Sequence, residues 1–405
     1  MNERKSIFSI FKLSSYCDRS INVSVFALLV IGTLTVISTN VGKTTTYSPS
    51  IVLSVIIKQF IFMMFGYVCM LFMNKIFRFK WFNRVENFMI IFALFVMILP
   101  FGFAEVGGSH AWIQVGGISI QPSEFAKPFV IILAATSLYR AKKTSSLLEE
   151  KGRLYRKFWI VFLAMAIILL GQKDVGTLVI LSFIFLSCIF IPKYPVLKRQ
   201  QKILKIILFI SIVGAIGLFV VTDIGTNFLK QTPFSHIATR VENFKNPYND
   251  VYGDGYQPAN SLYGIGDADI LGKGIGNSAR KYGYLTQADN DYILAVLIEE
   301  TGIFGLGLLV ILYCVIVGKL FYYAFKTNEV MYKVVLGGSA TYIFMHFFLN
   351  AGGVASLIPF TGVPLLFISS GGSSLISIMM TMGLCQHCIC SIRKKEMNVD
   401  ENRSW

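Results

Sequence analysis

Acidic residues are scarce in this chain. Among 405 residues, 22 are Asp or Glu against 37 Lys or Arg, and the four types together make up 15%. A soluble domain usually carries about 25% charged residues, so the shortage excludes an ordinary water-soluble enzyme. Histidine is rarer still. The four (His110, His236, His346, His387) are scattered and show no metal-binding spacing. The seven cysteines (17, 69, 188, 314, 385, 388, 390) fall in apolar runs or on basic flanks, which argues against a disulfide framework. Cys385-Gln-His-Cys388-Ile-Cys390 has the residue types of a zinc cluster. On the last turns of one helix its side chains would point in several directions, so free thiols are expected.

What is abundant is hydrocarbon. Hydrophobic residues make up 54% of the chain and the mean hydropathy is +0.63. Apolar runs of bilayer-crossing length, about 20 residues, recur near 21–39, 51–73, 88–104, 122–140, 158–171, 175–192, 206–222, 291–317, 334–352 and 366–388. The pattern predicts an all-α integral membrane protein of about ten transmembrane helices, with residues 1–405 forming one polytopic domain. The fifth and sixth runs are short and joined by a tight polar turn. Met1–Arg19 is polar and the first run reads as a full span, so no cleavable leader is expected.

The net charge of +15 would suit a nucleic-acid partner if it were clustered on one surface. Instead it alternates with the spans. Segments 1–20, 74–87, 140–157, 192–205, 318–333 and the stretch after 390 hold 27 Lys and Arg. The segments on the other side hold 8, and Lys58 and Lys127 lie within spans. This asymmetry is the positive-inside signature, so both termini (tails 1–20 and 389–405) are expected to be cytoplasmic. The charge reports orientation, and no nucleic-acid partner is implied.

The segment 223–290 then becomes a large extracellular loop before the eighth span. It is rich in turn signals (Asn246-Pro247, Gly253-Asp-Gly255, Gly272-Lys-Gly274), which predicts a folded cover over the outer mouth. Two more Gly- and Pro-rich stretches, 107–127 and 357–374, fall at membrane depth, where such backbone must be packed or line a wet cavity.

Charged groups at these depths are the candidates for chemistry. Glu124 and Lys127 share one face at the start of the fourth span, after Gln121, Pro122 and Ser123. They read either as an ion pair that neutralises itself for insertion or as the wall of a polar cavity shared with Asp174. Pro122 suits a first helical turn, with Ser123 or Gln121 as its cap. Asp291 opens the eighth span, where a helix cap and a functional carboxylate carry equal weight. Two neighbours, Asp289 and Asn290, exceed what a cap needs. Glu299 and Glu300 lie further in, and at least one must face protein or water. Trp112 reads as an interfacial anchor or as a platform for sugar or lipid.

These residues, taken in order, resemble the SEDS membrane proteins (shape, elongation, division and sporulation), a family that includes RodA, FtsW and SpoVE. The resemblance runs through Trp112-Ile113, Gln121-Pro-Ser-Glu-Phe-Ala-Lys127, Asp174-Val-Gly-Thr177, Arg240 with Asn246-Pro247, and Gly255-Tyr-Gln257. It continues through Gly272-Lys-Gly-Ile-Gly-Asn-Ser278, Asp291-Tyr-Ile-Leu-Ala295 with Glu299-Glu300, and Pro359-Phe-Thr-Gly-Val-Pro364 with Gly371-Gly-Ser-Ser374. The run from Asn277 to Leu285 is closer to the division and sporulation branch than to RodA.

The resemblance implies a peptidoglycan glycosyltransferase in the bacterial cytoplasmic membrane, polymerising lipid II onto a glycan carried on undecaprenyl pyrophosphate. It implies Asp291 as the catalytic residue and Trp112, Gln121, Ser123, Glu124, Lys127, Asp174, Arg240 and Gln257 as substrate-binding. A divalent cation, magnesium or manganese, is a further expectation. So is a class B penicillin-binding protein as transpeptidase partner, within the divisome or elongasome. Ala111, Lys173, the approach Thr286-Gln-Ala-Asp-Asn290 and Ser370 depart from the family pattern. Two other functions stay open: a lipid II flippase, a role also proposed for this family, and a division scaffold without catalysis, which the altered neighbours support.

Overall fold

The structure is a computed structural model that describes residues 13–42, 49–116, 118–144 and 153–403. The basic stretch 1–12, residues 43–48 of the first-to-second connection, Gly117, residues 145–152 of the fourth-to-fifth connection and residues 404–405 lie outside the described residues. Ten helices occupy the ten apolar runs. They are α1 (Arg19–Gly42), α2 (Pro49–Lys75), α3 (Phe79–Ile98), α4 (Pro122–Lys143), α5 (Arg156–Gly171), α6 (Val175–Phe190) and α7 (Lys198–Ala215), and after the large loop α11 (Ile293–Lys326), α12 (Val330–Val354) and α13 (Gly372–Arg403). Seven of these segments are long and apolar enough to cross a membrane by length and composition alone. The others are α4, whose charges lower its hydropathy, and the 16-residue helices α5 and α6.

Two features add detail to the expected architecture. The segment 223–290, expected to be a folded cover, contains three short helices, α8 (Ile224–Lys230), α9 (Ser235–Lys245) and α10 (Tyr256–Gly266). A small antiparallel hairpin, β1 (Ile113–Val115) with β2 (Ile118–Ile120), pairs Ile113 with Ile120 just before α4.

Helices α4, α12 and α13 form the centre. α13 runs along α2, α12 packs on α6, α4 and α11, and α11 also lies against α1. α4 is buried along nearly its whole length, including Glu124 and Lys127. α7 is the opposite case: none of its residues is buried, so it stands at the rim with an apolar surface suited to lipid.

One backbone break matters for the site. Gly302, inside α11, has φ 65° and ψ −160°, a conformation open to glycine alone. The break frees two carbonyls, and the loop closes them: Lys273 N–H donates to Glu299 O and Gly274 N–H to Glu300 O, both at 2.9 Å. Gly272 lies directly against Gly302, and a Cβ on either would fall 2.5 Å from the other's backbone nitrogen. The glycine-rich Gly272–Gly276 run thus repairs a broken membrane helix.

The side chains of Glu299 and Glu300 complete the joint. Glu299 accepts from Lys273 Nζ at 2.8 Å, Ser278 Oγ at 2.5 Å and the Ala279 amide at 3.1 Å. Glu300 accepts from Ser38 Oγ of α1 at 2.5 Å and lies 3.4 Å from Lys281 Nζ. Both glutamates are buried and face protein, and they anchor the cover to the bundle.

Candidate functional site

At the end of the bundle covered by 223–290 lies a cavity of about 680 Å³, lined by Trp112, Gln121, Glu124, Asp174, Arg240, Gln257 and Asp291 among others. The size suits an organic substrate rather than a single ion. Each wall comes from a different element, so the fold brings together residues far apart in the chain.

Asp291 lies two residues before the start of α11. Tyr292 occupies the cap position of α11 and the Asp291 carboxylate does not cap it. Its Oδ1 is buried without a hydrogen-bond partner among the described residues. Burial raises its pKa to about 7; Arg240 opposes that rise and Asp289 adds to it. The backbone beneath is tightly held. The carbonyls of Asp289, Asn290 and Asp291 accept from Ser370 N at 3.0 Å, Ser369 Oγ at 2.7 Å and Asn350 Nδ2 at 2.8 Å.

Arg240, from α9, donates to Thr361 O at 3.1 Å, and burial lowers its pKa while Asp291 works against that. Gly362 sits between the two charges. It has φ +69°, and a Cβ there would lie 3.5 Å from Arg240 Nη2 and 3.6 Å from Asp291 Oδ2. The positive φ favours glycine here, while the space would admit a Cβ in ordinary contact.

The opposite wall is Gln121 and Asp174. Gln121 stands at the N-terminus of α4, but its side chain donates to Asp174 Oδ2 at 2.8 Å instead of capping its own helix. Ser123 Oγ reaches the same oxygen at 3.3 Å, and Asp174 Oδ1 caps α6 by accepting from Thr177 N at 3.1 Å. Asp174 is therefore a bracket between α4 and α6, and Ser123 lies behind the cavity surface.

Lys127 also lies behind it, fully buried. Its Nζ is 2.5 Å from Glu124 Oε1 and 2.8 Å from His346 Nε2. His346 Nδ1 is 3.1 Å from Pro364 O. A carbonyl only accepts, so Nδ1 carries the proton and Nε2 accepts from the lysine. This chain of bonds ties α4 through α12 to the 359–364 loop beside Asp291. The pair is thus a self-neutralised core ion pair on the lysine side and a cavity wall on the glutamate side, where Oε2 is buried without a partner among the described residues. Both readings hold, one for each partner.

His346 and Asn350 were not legible as site residues. They are single polar residues one turn apart in an apolar helix, and no spacing marks them. Asn350 Nδ2 reaches both Asp291 O at 2.8 Å and Val363 O at 2.9 Å, so it joins the Asp291 segment to the cavity loop.

Gln257 Oε1, Glu124 Oε2, Asp291 Oδ1 and Thr361 Oγ1 are all buried and unpartnered among the described residues, and all four residues line the cavity. Clustered orphan oxygens call for a ligand rich in donors, such as sugar hydroxyls. For a metal the fit is poor: among the described residues no group of three His, Cys, Asp or Glu could hold an ion. The three clustered thiols near 390 form no such group either. Cys390 Sγ instead lies 3.0 Å from Cys17 Sγ.

Comparison with known proteins follows the same lines. A family model described as "Cell cycle protein", spanning FtsW, RodA and SpoVE, matches residues 19–394. The "Probable peptidoglycan glycosyltransferase FtsW" of Bacillus subtilis is 31% identical over 315 residues, 78% of this chain and 75% of that protein. "Stage V sporulation protein E" of the same organism is 30% identical over 329 residues, 81% of this chain and 84% of its own length. A solved chain from a peptidoglycan synthase complex superposes with a TM-score of 0.68 at 20% identity, covering 93% of this chain and 98% of its own. Rod shape determining protein RodA of Thermus thermophilus gives 0.58 at 19% identity, covering 92% of this chain and 96% of its own. At such identities the superpositions speak for the fold.

Proposed function

The chain belongs to the FtsW, RodA and SpoVE family, and from that premise we propose that it is a peptidoglycan glycosyltransferase with Asp291 as general base. One observation carries the reading: a carboxylate with a free oxygen, raised to about 7, stands in a polar cavity beside an arginine. A sugar hydroxyl is a poor nucleophile until its proton is removed. A base of about that pKa is suited to the task near neutral pH.

In the proposed step the Asp291 carboxylate takes the proton of the acceptor lipid II hydroxyl. The hydroxyl oxygen forms a bond to the anomeric carbon of the growing glycan, and the bond from that carbon to the pyrophosphate breaks. The electron pair leaves with the undecaprenyl pyrophosphate, which departs as an anion and needs no acid. Arg240 faces that charge. Gln121, Gln257 and Glu124 bind sugar hydroxyls, Trp112 offers an aromatic face, and Asp174, Ser123 and Lys127 hold these residues in place. No step is routed through a metal, because the donors present do not form an ion cage.

The reading includes an outward-facing cavity, cytoplasmic termini and a class B penicillin-binding protein as partner in a divisome or elongasome. The test is purified protein, reconstituted alone and with such a partner, incubated with lipid II. Long glycan from the wild type and none from Asp291→Asn is the expected result. Translocation of lipid II across vesicles without polymer would favour the flippase reading and refute this one. Loss of both activities, with partner binding retained, would leave a scaffold.

A further inference from the structure

Next to the main cavity lies a second one of about 220 Å³, and Trp112, Gln287 and Asn290 line both. Its distinctive residue is Lys58, on α2 and inside the Val52–Lys75 span. Lys58 is nine residues from the start of α2, about 14 Å along the helix at 1.5 Å per residue. A lysine at such depth is costly unless something compensates it. No carboxylate pairs with it among the described residues.

A snorkelling lysine would lie along lipid-facing apolar surface. Lys58 is exposed, but it lines the second cavity and shares a face of α2 with Phe62, one turn on. Phe62 packs on the start of α13 so closely that a Cβ on Gly372 would lie 2.5 Å from its ring. Lys58 itself stays exposed at the rim of this groove, whose polar walls are Ser119, Asp289 and Ser370. The Asp289 carboxylate is already engaged, accepting from Ser370 Oγ at 3.4 Å. Below Lys58 the exposed side of α2 is apolar, with Ile61 and Phe65.

The reaction proposed above joins two lipid-linked molecules, and each brings a pyrophosphate. The main cavity supplies Arg240 for one of them. Its other cation, Lys173, lies 3.3 Å from Glu105. We propose that the second cavity is the site of the acceptor's pyrophosphate, with Lys58 as its counter-ion and the prenyl chain running down α2. The acceptor disaccharide then passes over Trp112 to reach Asp291. The acceptor keeps its pyrophosphate, so Lys58 forms and breaks no covalent bond and acts in binding alone.

This inference rests on the glycosyltransferase reading, so the experiment has one arm with turnover and one without. With turnover, Lys58→Met in reconstituted protein should raise KM for lipid II about tenfold, with kcat within about twofold and Lys58→Arg restoring most of the loss. Without turnover, binding of lipid II to nanodisc-embedded Asp291→Asn is compared with Asp291→Asn carrying Lys58→Met, and the second should bind about tenfold more weakly. Inorganic pyrophosphate as competitor separates an anion site from a lipid-tail groove: it should displace lipid II from the protein with Lys58 and not from Lys58→Met. Methionine suits the bilayer, and equal melting temperatures confirm that both proteins are folded. Unchanged KM and unchanged binding would overturn the proposal, as would a loss confined to kcat. If the wild type makes no glycan, the glycosyltransferase reading fails by itself, and the binding arm still decides whether Lys58 holds a lipid pyrophosphate.

Discussion

Asp291 must be ionised to act as a base, and burial places its pKa at about 7. Glycan synthesis by the wild type should therefore rise about tenfold between pH 6 and pH 8, read as kcat/KM in a pH series. Asp289 contributes to the raised value, so Asp289→Asn should move this limb to lower pH. Asp291→Asn should cost about 10²–10⁴ in rate and remove the limb. Stability runs the other way. With the folded pKa above the unfolded one, the folded state holds more protons between about 4 and 7, so this residue's contribution falls as pH rises through that window. Asp291→Asn should then melt higher than wild type at pH 8, with a smaller difference at pH 5. Loss of activity with equal or better thermal stability separates a base from a structural residue. Asn350→Leu makes the contrast. Two carbonyls lose a donor, so a destabilisation of about 1–3 kcal/mol should accompany a slower kcat, measured by thermal melting and initial rates.

At the level of the element, the break in α11 decides how the site is built. Apolar run length predicted a continuous span over 291–317, and hydropathy has no access to a reversed dihedral in the middle of one. The signal was present only as glycines, Gly302 in the helix and Gly272 in the loop, whose partnership appears once the chain is folded. Gly302→Ala forces a side chain into a glycine-only conformation 2.3 Å from Ile270 O. A loss of about 1–3 kcal/mol is expected, seen as a lower melting temperature together with weaker glycan synthesis. The ten helices were legible because each had to cover its own backbone in apolar side chains. Asp291, Glu124, Gln121 and Arg240 were placed by resemblance, and the structure seats them around one cavity. The polar supports on α12 stayed hidden, because a lone histidine or asparagine in an apolar helix looks the same whether it serves the site or the core.

Across the whole molecule, the distribution of Lys and Arg predicts that 192–205 and the cavity-covering segment 223–290 lie on opposite sides of the membrane. Impermeant labelling of single cysteines in intact cells checks this: Asn249→Cys should react and Lys202→Cys should not, and the reverse pattern would invert the topology. α7 should prove dispensable for packing, since it buries nothing between Lys198 and Ala215. The covering lobe differs from it in one respect. Its Gly272–Gly276 run supplies backbone to a transmembrane helix, and its amides at 273 and 274 complete that helix's ladder. In hydrogen–deuterium exchange these two loop amides should therefore exchange as slowly as the bundle interior, opening only when the membrane core itself comes apart.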